Sequence, residues 1–355
     1  MMYLENLLKQ KAYSLDPNEK KNLFKKEMNF LTNFHYKKSK LYKKFLKGVN
    51  YNLKISKPLK MLPYIPVRLF KNFDLLSIDK KQIFKTLSSS GTSSNNLSKI
   101  YLDKKNAFNQ IKVLQNIFHN LFGNSRVPML ILNKENLANN RNTFNASTAA
   151  INGFSMFASE KIYLLNQNNE INYDLLKKFL NKNNNKKFIV FGFTSDVYLN
   201  LIKKINPKNI NKKSFSKAIL IHGGGWKKIE KLKIGREKFY KLIKNKIGIN
   251  SIKNYYGLIE QIGSIFFECN CGYFIASNFS DIIIRDADFN VCGEGKKGLI
   301  QLFSLLPTSY PGHSILTEDI GEIVNDSKCN CYGHGTRFRV HGRLKEAELR
   351  GCSNI

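Results

Sequence analysis

The sequence predicts an α/β protein with a mostly parallel sheet core, a helical N-terminal cap and a β-rich C-terminal part. The first observation is a set of short strand-like runs, at residues 127–132, 188–193, 218–221 and 252–256, most of which are continuously apolar. The second is that amphipathic stretches separate these runs, at residues 106–121, 173–180 and 230–243. Apolar strands that alternate with helices are typical of a parallel sheet covered by helices on both faces.

The two regions that flank this core have other periodicities. In residues 1–60, leucines such as Leu4, Leu7 and Leu8 recur at helical steps of three and four among lysines. Beyond residue 265, short β-like runs at 281–285 and 299–305 replace that pattern. The predicted organisation is a helical cap over residues 1–60, an α/β core over 61–264 and a β-rich subdomain over 265–355, with a short C-terminal tail and no large lid domain.

Length and composition exclude several classes of protein. At 355 residues the chain can bury a full core, and its N-terminus lacks the basic and then apolar pattern of a signal peptide. No apolar run approaches the roughly 18 residues that a membrane span needs. We therefore expect a protein without a membrane span that is located in the cytoplasm.

The formal net charge is +32, with 49 lysines and 9 arginines. Clustered cations bind nucleic acid through its phosphates, but these lysines are scattered, without an arginine cluster or a regular aromatic and basic motif. Abundant asparagine and isoleucine fit the composition of an AT-rich genome, whereas an acidic partner such as a carrier protein is the other explanation. We expect no nucleic-acid partner, and keep a basic nucleic-acid-binding protein as an alternative.

A hydroxyl-rich loop follows an extended segment. Pro63 and Pro66 forbid a helix in residues 61–70, so this segment should run extended into the core. The loop reads Thr86-Leu87-Ser88-Ser89-Ser90-Gly91-Thr92-Ser93-Ser94. Short side chains and one glycine allow backbone N–H groups to converge on an anion, as phosphate-binding loops require. A flexible surface loop is the alternative explanation.

Two of the predicted strands lead into glycine-containing sequences. The run at 218–221 continues as His222-Gly223-Gly224-Gly225-Trp226, and the run at 252–256 continues as Gly257-Leu258-Ile259-Glu260-Gln261. Ligands of parallel sheets bind at the carboxyl ends of the strands, and successive glycines let the backbone approach a flat ligand closely. A third run leads into Thr194-Ser195-Asp196, a pattern typical of a helix N-cap.

Six cysteines are too few for a disulfide scaffold in a chain of this length. Four of them form two pairs, Cys269-Asn270-Cys271 and Cys329-Asn330-Cys331, with 57 residues between the pairs. Four thiolates in two pairs suit a tetrahedral structural Zn²⁺, although the usual spacing within a pair is two or more residues. Reduced structural cysteines are the alternative, and His313 and His334 are further candidate ligands or pocket residues.

Five motifs follow one another in order: the Ser/Gly loop, His222-Gly223-Gly224-Gly225, Tyr256-Gly257-Leu258-Ile259-Glu260, Thr317-Glu318-Asp319-Ile320-Gly321 and Gly342-Arg343. This order resembles the adenylate-forming superfamily of acyl-CoA synthetases. A narrower match rests on five phrases: Ile65-Pro66-Val67-Arg68-Leu69-Phe70-Lys71, Ser89-Ser90-Gly91-Thr92, His222-Gly223-Gly224-Gly225-Trp226-Lys227-Lys228, Leu306-Pro307-Thr308-Ser309-Tyr310-Pro311-Gly312-His313 and the stretch from Gly342 to Cys352. With these motifs the chain resembles the LuxE-type acyl-protein synthetase family, the synthetase subunit of the fatty acid reductase complex of bacterial bioluminescence.

The resemblance implies ATP-dependent activation of a fatty or related carboxylic acid, in which acyl-AMP forms and pyrophosphate leaves. The residues that would contact the triphosphate are Ser89, Ser90, Gly91, Thr92, Ser93 and Ser94. Gly223, Gly224 and Gly225 would lie along the adenine, and Tyr256, which precedes Gly257, would stack on it.

The same resemblance assigns roles to three charged residues. Glu260 would hold the Mg²⁺ that neutralises the phosphates. Asp319 would accept hydrogen bonds from the ribose hydroxyls, and Arg343 would contact the ribose or the acyl-phosphate. Catalysis would consist mainly of positioning and charge neutralisation.

Two departures from the superfamily pattern concern Ile259 and the C-terminus. Ile259 stands where most of the superfamily has a threonine near the α-phosphate, and about a dozen residues follow Arg343, so no lid lysine can be assigned. In the resembled family the acyl group passes from AMP to a cysteine near the C-terminus, and Cys352 occupies that position. On its chemistry alone, Cys352 could equally be an ordinary exposed thiol.

The resemblance also implies an acceptor for the acyl group. An acyl carrier protein or an acyl-reductase subunit would receive it from Cys352. The alternative enzyme is an acyl- or aryl-CoA ligase of the phenylacetate-CoA ligase type, which would release the acyl group to coenzyme A.

Overall fold

A computed structural model describes residues 2–89, 97–135, 146–326 and 328–344. The chain forms two compact units. The first unit consists of Met1–Gly123, Phe144–Ala146 and Gly257–Ile355, and the second consists of Asn124–Thr143 and Ser147–Tyr256. The domain boundaries expected at residues 60 and 264 stay predictions.

The α-helices of the described residues are α1 (Met2–Leu8), α2 (Pro17–Lys38), α3 (Lys40–Gly48), α4 (Leu69–Asn72), α5 (Lys104–Phe122), α6 (Ala146–Ser155), α7 (Tyr173–Lys182), α8 (Thr194–Asp196) and α9 (Arg236–Ile247). A π-helical stretch, Val197–Lys203, continues α8. Short 3₁₀ turns occur at Leu59–Met61, Lys80–Gln82, Pro207–Asn209, Lys212–Phe215 and Lys227–Leu232.

The strands are β1 (Ile65–Pro66), β2 (Lys85–Ser88), β3 (Lys99–Leu102), β4 (Val127–Ile131), β5 (Ala158–Tyr163), β6 (Phe188–Phe193), β7 (Ala218–Gly223), β8 (Ser251–Gly257), β9 (Ile265–Glu268), β10 (Phe274–Ile275), β11 (Ser280–Arg285), β12 (Gly298–Ser304), β13 (Ser314–Ile323) and β14 (Arg337–Arg343).

Helices α1 to α3 form the N-terminal cap that the leucine spacing predicts. Asp16 begins α2, because its carboxylate accepts hydrogen bonds from the N–H groups of Asn18 and Glu19, and Pro17 occupies the first helical position. The apolar stripe of α2 is fully buried and includes Phe24 and Met28. The helical cap is therefore confirmed.

The sheet of the first unit is antiparallel. Its strand order is β11-β12-β13-β14-β10-β9, and β1 pairs in parallel with the first half of β13. Strands β2 and β3 form a separate antiparallel hairpin in the same unit. The β-rich C-terminal part is thus confirmed, and it places β13 and β14 side by side.

The sheet of the second unit is parallel, in the order β8-β7-β6-β4-β5. Strands β6 and β7 are buried at every position, as the continuous apolar runs predict. One buried cluster packs this sheet against α7 and α9, and includes Phe179, Leu220 and Ile243. The α/β class with a mostly parallel sheet core is confirmed.

Two segments differ from the sequence-based expectation. Residues 61–70 are extended only as far as β1, because α4 begins at Leu69, beyond the restriction that Pro66 imposes on its neighbours. The helix expected over residues 230–243 begins at Arg236, where Gly235 is the N-cap residue. Within the described residues, no helix combines the length and the apolar character that crossing a bilayer requires.

Candidate functional site

Asp319 and Arg343 are cross-strand neighbours on β13 and β14. The Arg343 Nε lies 3.4 Å from the Asp319 Oδ1, and the Asp319 side chain is largely buried. Burial alone would lower the pKa of the Arg343 guanidinium, but the charges of Asp319, Glu318 and Glu260 raise it above its ordinary value. The structure therefore brings together three of the predicted site residues in the first unit.

Glu260 is a buried carboxyl group with positive neighbours. Burial raises its pKa above the ordinary 4.5, because the charged form loses its hydration. The Ser98 hydroxyl, the backbone of Glu260 itself and the charges of Arg343 and Lys71 act in the opposite direction. A carboxylate in this position, surrounded by cations, has the chemistry of a divalent-metal ligand close to phosphate groups.

Hydrogen bonds fix the segment that directly follows Glu260. The buried Gln261 amide donates to the carbonyl oxygens of Leu302 (3.2 Å) and Gly312 (2.8 Å). The Ile262 N–H donates to the Tyr310 hydroxyl, 3.1 Å away. The Leu306-to-His313 motif therefore acts through structure, because its Tyr310 and Gly312 hold the segment that carries Glu260.

The hairpin of β2 and β3 connects the Ser/Gly loop to this site. The Ser89 N–H donates to the Ser98 carbonyl oxygen (3.0 Å), and the Ser98 N–H donates to the Ser89 hydroxyl (3.1 Å). These bonds bring the two ends of the loop together. Ser90, Gly91, Thr92, Ser93 and Ser94 lie outside the described residues.

Arg68 and Lys71, in the motif at residues 65–71, also interact with acidic residues of this cluster. Arg68 forms an ion pair with Glu318, the residue before Asp319. Lys71, on α4, acts electrostatically on Glu260. Strand β1 places this motif alongside β13, where Ile65 pairs with Ile315. The only signal available in the sequence was the clustering of two cations directly after β1.

The three consecutive glycines of the second unit serve two different purposes. A Cβ atom on Gly223 would lie 2.6 Å from the Tyr255 ring and 2.7 Å from the Tyr255 carbonyl oxygen. Gly224 and Gly225 adopt left-handed conformations, with φ of 76° and 64°. The close approach at Gly223 is thus to a neighbouring strand, while the next two glycines turn the chain away from β7.

His222 and Thr194 tie β7 to the start of α8. The Thr194 hydroxyl donates to the Gly223 carbonyl oxygen (3.1 Å) and lies 3.0 Å from the His222 Nδ1, which therefore donates to it. Burial, with a smaller effect of the Arg236 charge, lowers the pKa of His222 to about 3. Thr194 acts here as a bridge between strands, and the N-cap residue of α8 is Phe193.

The remaining nucleotide residues of the prediction lie on or next to β8. Tyr256 is half-buried on this strand. Gly257 ends the strand, and a Cβ atom there would lie 2.9 Å from the Ser264 carbonyl oxygen. The joint contact of Gly223, Gly224, Gly225 and Tyr256 with one nucleotide stays a prediction, as does the contact of Asp319 with its ribose. Cys352 lies outside the described residues.

The four paired cysteines converge in the first unit. The sulfur atoms of Cys269, Cys271, Cys329 and Cys331 all lie within 4.8 Å of one another. His313 takes part in a different cluster, where its Nε2 lies 3.0 Å from the Thr32 hydroxyl and its ring stacks on that of His35. His313 therefore packs against the helical cap and is not a ligand of the cysteine cluster.

Comparison with known proteins adds family and fold. The family model of the acyl-protein synthetase LuxE matches residues 4–355. An open conformation of 2-hydroxyisobutyryl-CoA ligase, in complex with 2-HIB-AMP and CoA, has a TM-score of 0.72 and 11% identity, over 94% of this chain and 77% of that chain. ATP-bound MatB from Rhodopseudomonas palustris has a TM-score of 0.51 and 12% identity, over 76% of this chain and 49% of that chain. No curated protein matches the chain.

At these identities the two ligases show a shared fold, and the chain spans about half the length of MatB. The family match is of another kind, because it extends over nearly the whole sequence. The matched residues also include the motifs between Ile65 and Arg343 that lie side by side in the first unit. The chain belongs to the LuxE acyl-protein synthetase family.

Proposed function

We propose that this protein activates a fatty or related carboxylic acid with ATP and then carries the acyl group as a thioester on Cys352. The observation that supports this most directly is the arrangement of the first unit. There, the Arg343 guanidinium lies 3.4 Å from Asp319, and its charge acts on the buried Glu260. The family to which the chain belongs is that of the acyl-protein synthetases.

In the first step, a carboxylate oxygen of the acid attacks the α-phosphorus of ATP. The bond between the α-phosphorus and its bridging oxygen breaks, and pyrophosphate leaves with the electron pair. Glu260 is the residue that would hold Mg²⁺, which when bound neutralises the charge of the phosphates. Arg343 and Lys71 add fixed positive charge at the same place, where preorganised charge is most effective.

Asp319 has two roles in this proposal. Its second carboxylate oxygen accepts hydrogen bonds from the vicinal ribose hydroxyls, while the first keeps the Arg343 guanidinium in place. Gly223, Gly224 and Gly225 lie along the adenine and Tyr256 stacks on it. Residues 89–94 donate backbone N–H groups and hydroxyls to the triphosphate.

In the second step, the Cys352 thiolate attacks the acyl carbonyl carbon of acyl-AMP. A thioester forms, AMP leaves, and the thiol proton passes to solvent. An acyl carrier protein or an acyl-reductase subunit then accepts the acyl group. The thiolate is the reactive form of cysteine, and the neighbouring basic residues Lys345 and Arg350 in the sequence would increase its fraction.

The test is carboxylate-dependent exchange of labelled pyrophosphate into ATP, measured across a panel of acids that differ in chain length and ring content. Exchange with at least one acid is expected. Failure of every acid to stimulate exchange above background would contradict the proposed adenylation.

A second candidate is a CoA ligase. Its support is the fold, which 2-hydroxyisobutyryl-CoA ligase shares over 77% of its own length. The first step would be the same, but the thiol of coenzyme A would take the acyl group from acyl-AMP. Stoichiometric consumption of coenzyme A without labelling of the protein would favour this candidate over the acyl-enzyme.

A further inference from the structure

The four clustered cysteines belong to two short turns of the first unit. Cys269 and Cys271 lie between β9 and β10, and Cys329 and Cys331 lie shortly before β14. The first cysteine of each pair, Cys269 and Cys329, is buried, while the second is exposed at Cys271 and half-buried at Cys331. Each pair therefore contributes one sulfur from the protein interior and one from the surface.

The distances between the sulfur atoms match a metal-centred tetrahedron. The Cys269 and Cys329 Sγ atoms are 3.7 Å apart, and the Cys271 and Cys331 Sγ atoms are 3.9 Å apart. Zinc–sulfur bonds of about 2.3 Å in a tetrahedron place neighbouring sulfurs about 3.8 Å from one another. A disulfide would require about 2.05 Å. All four sulfurs lie within 4.8 Å of one another, close to the spacing of ligands that share one ion.

The backbone of the two turns has the same shape. The residue after the second cysteine of each pair is left-handed, with φ of 83° at Gly272 and 61° at Tyr332. This conformation is unfavourable for tyrosine, so the surrounding structure has to impose it.

We propose that Cys269, Cys271, Cys329 and Cys331 bind one structural Zn²⁺ ion. Binding replaces four S–H bonds by four Zn–S bonds and releases four protons to solvent, which leaves a net charge of −2 on the site. The Arg337 guanidinium, which donates to the Cys329 carbonyl oxygen (2.8 Å), offsets part of that charge. Soft thiolate ligands in a tetrahedron select Zn²⁺ over Mg²⁺ or Ca²⁺.

The ion would be structural because four protein ligands leave no open position for a substrate. It would join the turn between β9 and β10 to the entry of β14, which begins at Arg337. The other end of β14 is Arg343, the partner of Asp319. The proposed ion therefore fixes the strand that carries one of the site residues, independently of whether the proposed adenylation is correct.

The first measurement is the metal content of the full chain, purified without chelator from medium that contains zinc and iron. We expect about one zinc per chain. X-ray absorption at the zinc edge should then show a shell of sulfur at about 2.3 Å. A zinc content below about 0.1 per chain, iron in place of zinc, or a shell dominated by nitrogen and oxygen would overturn the proposal.

The second measurement compares two cysteine variants. Cys271→Ser changes an exposed ligand and should lower the zinc content at least about tenfold, since three remaining thiolates bind more weakly. Cys292→Ser is the matched control, because Cys292 is half-buried outside the cluster, and it should keep the wild-type content. Folding of each variant is checked by circular dichroism. Equal zinc contents in the two folded variants would contradict the assignment, and so would a mass spectrum of the wild type that shows disulfides among these cysteines.

Discussion

The Arg343 guanidinium lies 3.4 Å from the Asp319 carboxylate at directly opposed positions of two antiparallel strands. His341 is the extra residue of a β-bulge in the same strand, because Gly342 pairs with Ile320 and Val340 pairs with Gly321. Without this bulge the side chains beyond it would point to the other face of the sheet. The bulge is thus what places Arg343 beside Asp319.

The first prediction concerns Asp319→Asn. The amide keeps the size of the side chain but loses the charge that holds Arg343 and accepts from the ribose hydroxyls. We expect acid-dependent ATP–pyrophosphate exchange to fall by roughly 10²- to 10³-fold, as when one preorganised group of an active site is removed. The midpoint of thermal unfolding should change little.

The control for Asp319→Asn is Glu322→Gln on the same strand. Glu322 forms a second ion pair between these two strands, and its Oε1 lies 3.1 Å from the Arg339 Nη1. If an ion pair between β13 and β14 matters only for stability, the two variants should lose exchange equally. Exchange near the wild-type rate in Asp319→Asn would refute the role of Asp319.

Much of the fold could be predicted from the sequence because it follows from the apolar patterns of single segments. Strand β6 has the bounds that the apolar run at 188–193 indicates, and β7 exceeds the expected 218–221 by two residues. Helix α7 begins at Tyr173, as its amphipathic pattern predicts. Periodicity is a local signal, so it identifies elements better than their partners.

The neighbours of the site residues could not be predicted, since they depend on pairings between distant segments. Nothing in the sequence indicates that Arg68 meets Glu318, 250 residues later. Likewise, nothing in the glycine run indicates that a Cβ atom on Gly223 would meet Tyr255 of the adjacent strand. Strand order and register decide both contacts, and a single sequence does not encode them in a readable pattern.

The second prediction concerns the cost of burying Glu260. In the folded protein its pKa is raised, so its contribution to stability is fully present below the ordinary pKa of 4.5 and is lost as the pH rises through the folded value. Glu260→Gln removes the charge and should therefore raise the free energy of unfolding at about pH 7 relative to wild type. This gain should disappear at about pH 4, where the wild-type carboxyl is protonated as well.

The same variant should lose function while it gains stability. Without a carboxylate to hold the metal ion, exchange should fall at least about 100-fold. Urea denaturation at the two pH values measures the stability difference, and exchange at saturating Mg²⁺ measures activity. A Glu260→Gln protein that is less stable than wild type at neutral pH would contradict this prediction. It would show that neighbouring groups offset the cost of burying the charged carboxylate.

The third prediction compares alanine at Gly223 and at Gly225. At Gly223 the added methyl group meets the Tyr255 carbonyl oxygen at 2.7 Å, which requires a shift between two paired strands. A cost of about 1–3 kcal/mol in unfolding free energy is expected for such overpacking. A Cβ atom on Gly225 would meet no described atom within 4 Å, apart from its chain neighbours, so only the left-handed φ of 64° is unfavourable. For Gly225→Ala a cost of about 1 kcal/mol in unfolding free energy is expected.

Chemical denaturation of both glycine variants measures this difference directly. Tyr255→Leu in the Gly223→Ala background should restore part of the loss, since it removes the ring that lies 2.6 Å from the added methyl group. It should not restore all of it, because the carbonyl oxygen remains. Greater destabilisation by Gly225→Ala than by Gly223→Ala would contradict the close packing of β7 on β8.

The fourth prediction separates the two steps of the proposed reaction. With labelled acid and ATP, wild-type protein should acquire a label that hydroxylamine removes, as expected for a thioester. Cys352→Ser should keep acid-dependent exchange, because adenylation precedes the transfer, but it should lose the hydroxylamine-sensitive label. The serine hydroxyl replaces a thiol whose thiolate is the reactive form, and without an adjacent base a hydroxyl is a weak nucleophile at neutral pH.

Cys292→Ser, outside the metal cluster, is the matched control and should retain both activities. If Cys352→Ser still carries the label, the acceptor is a different residue. If wild-type protein exchanges pyrophosphate and consumes coenzyme A but never acquires the label, the CoA ligase reaction is the correct one.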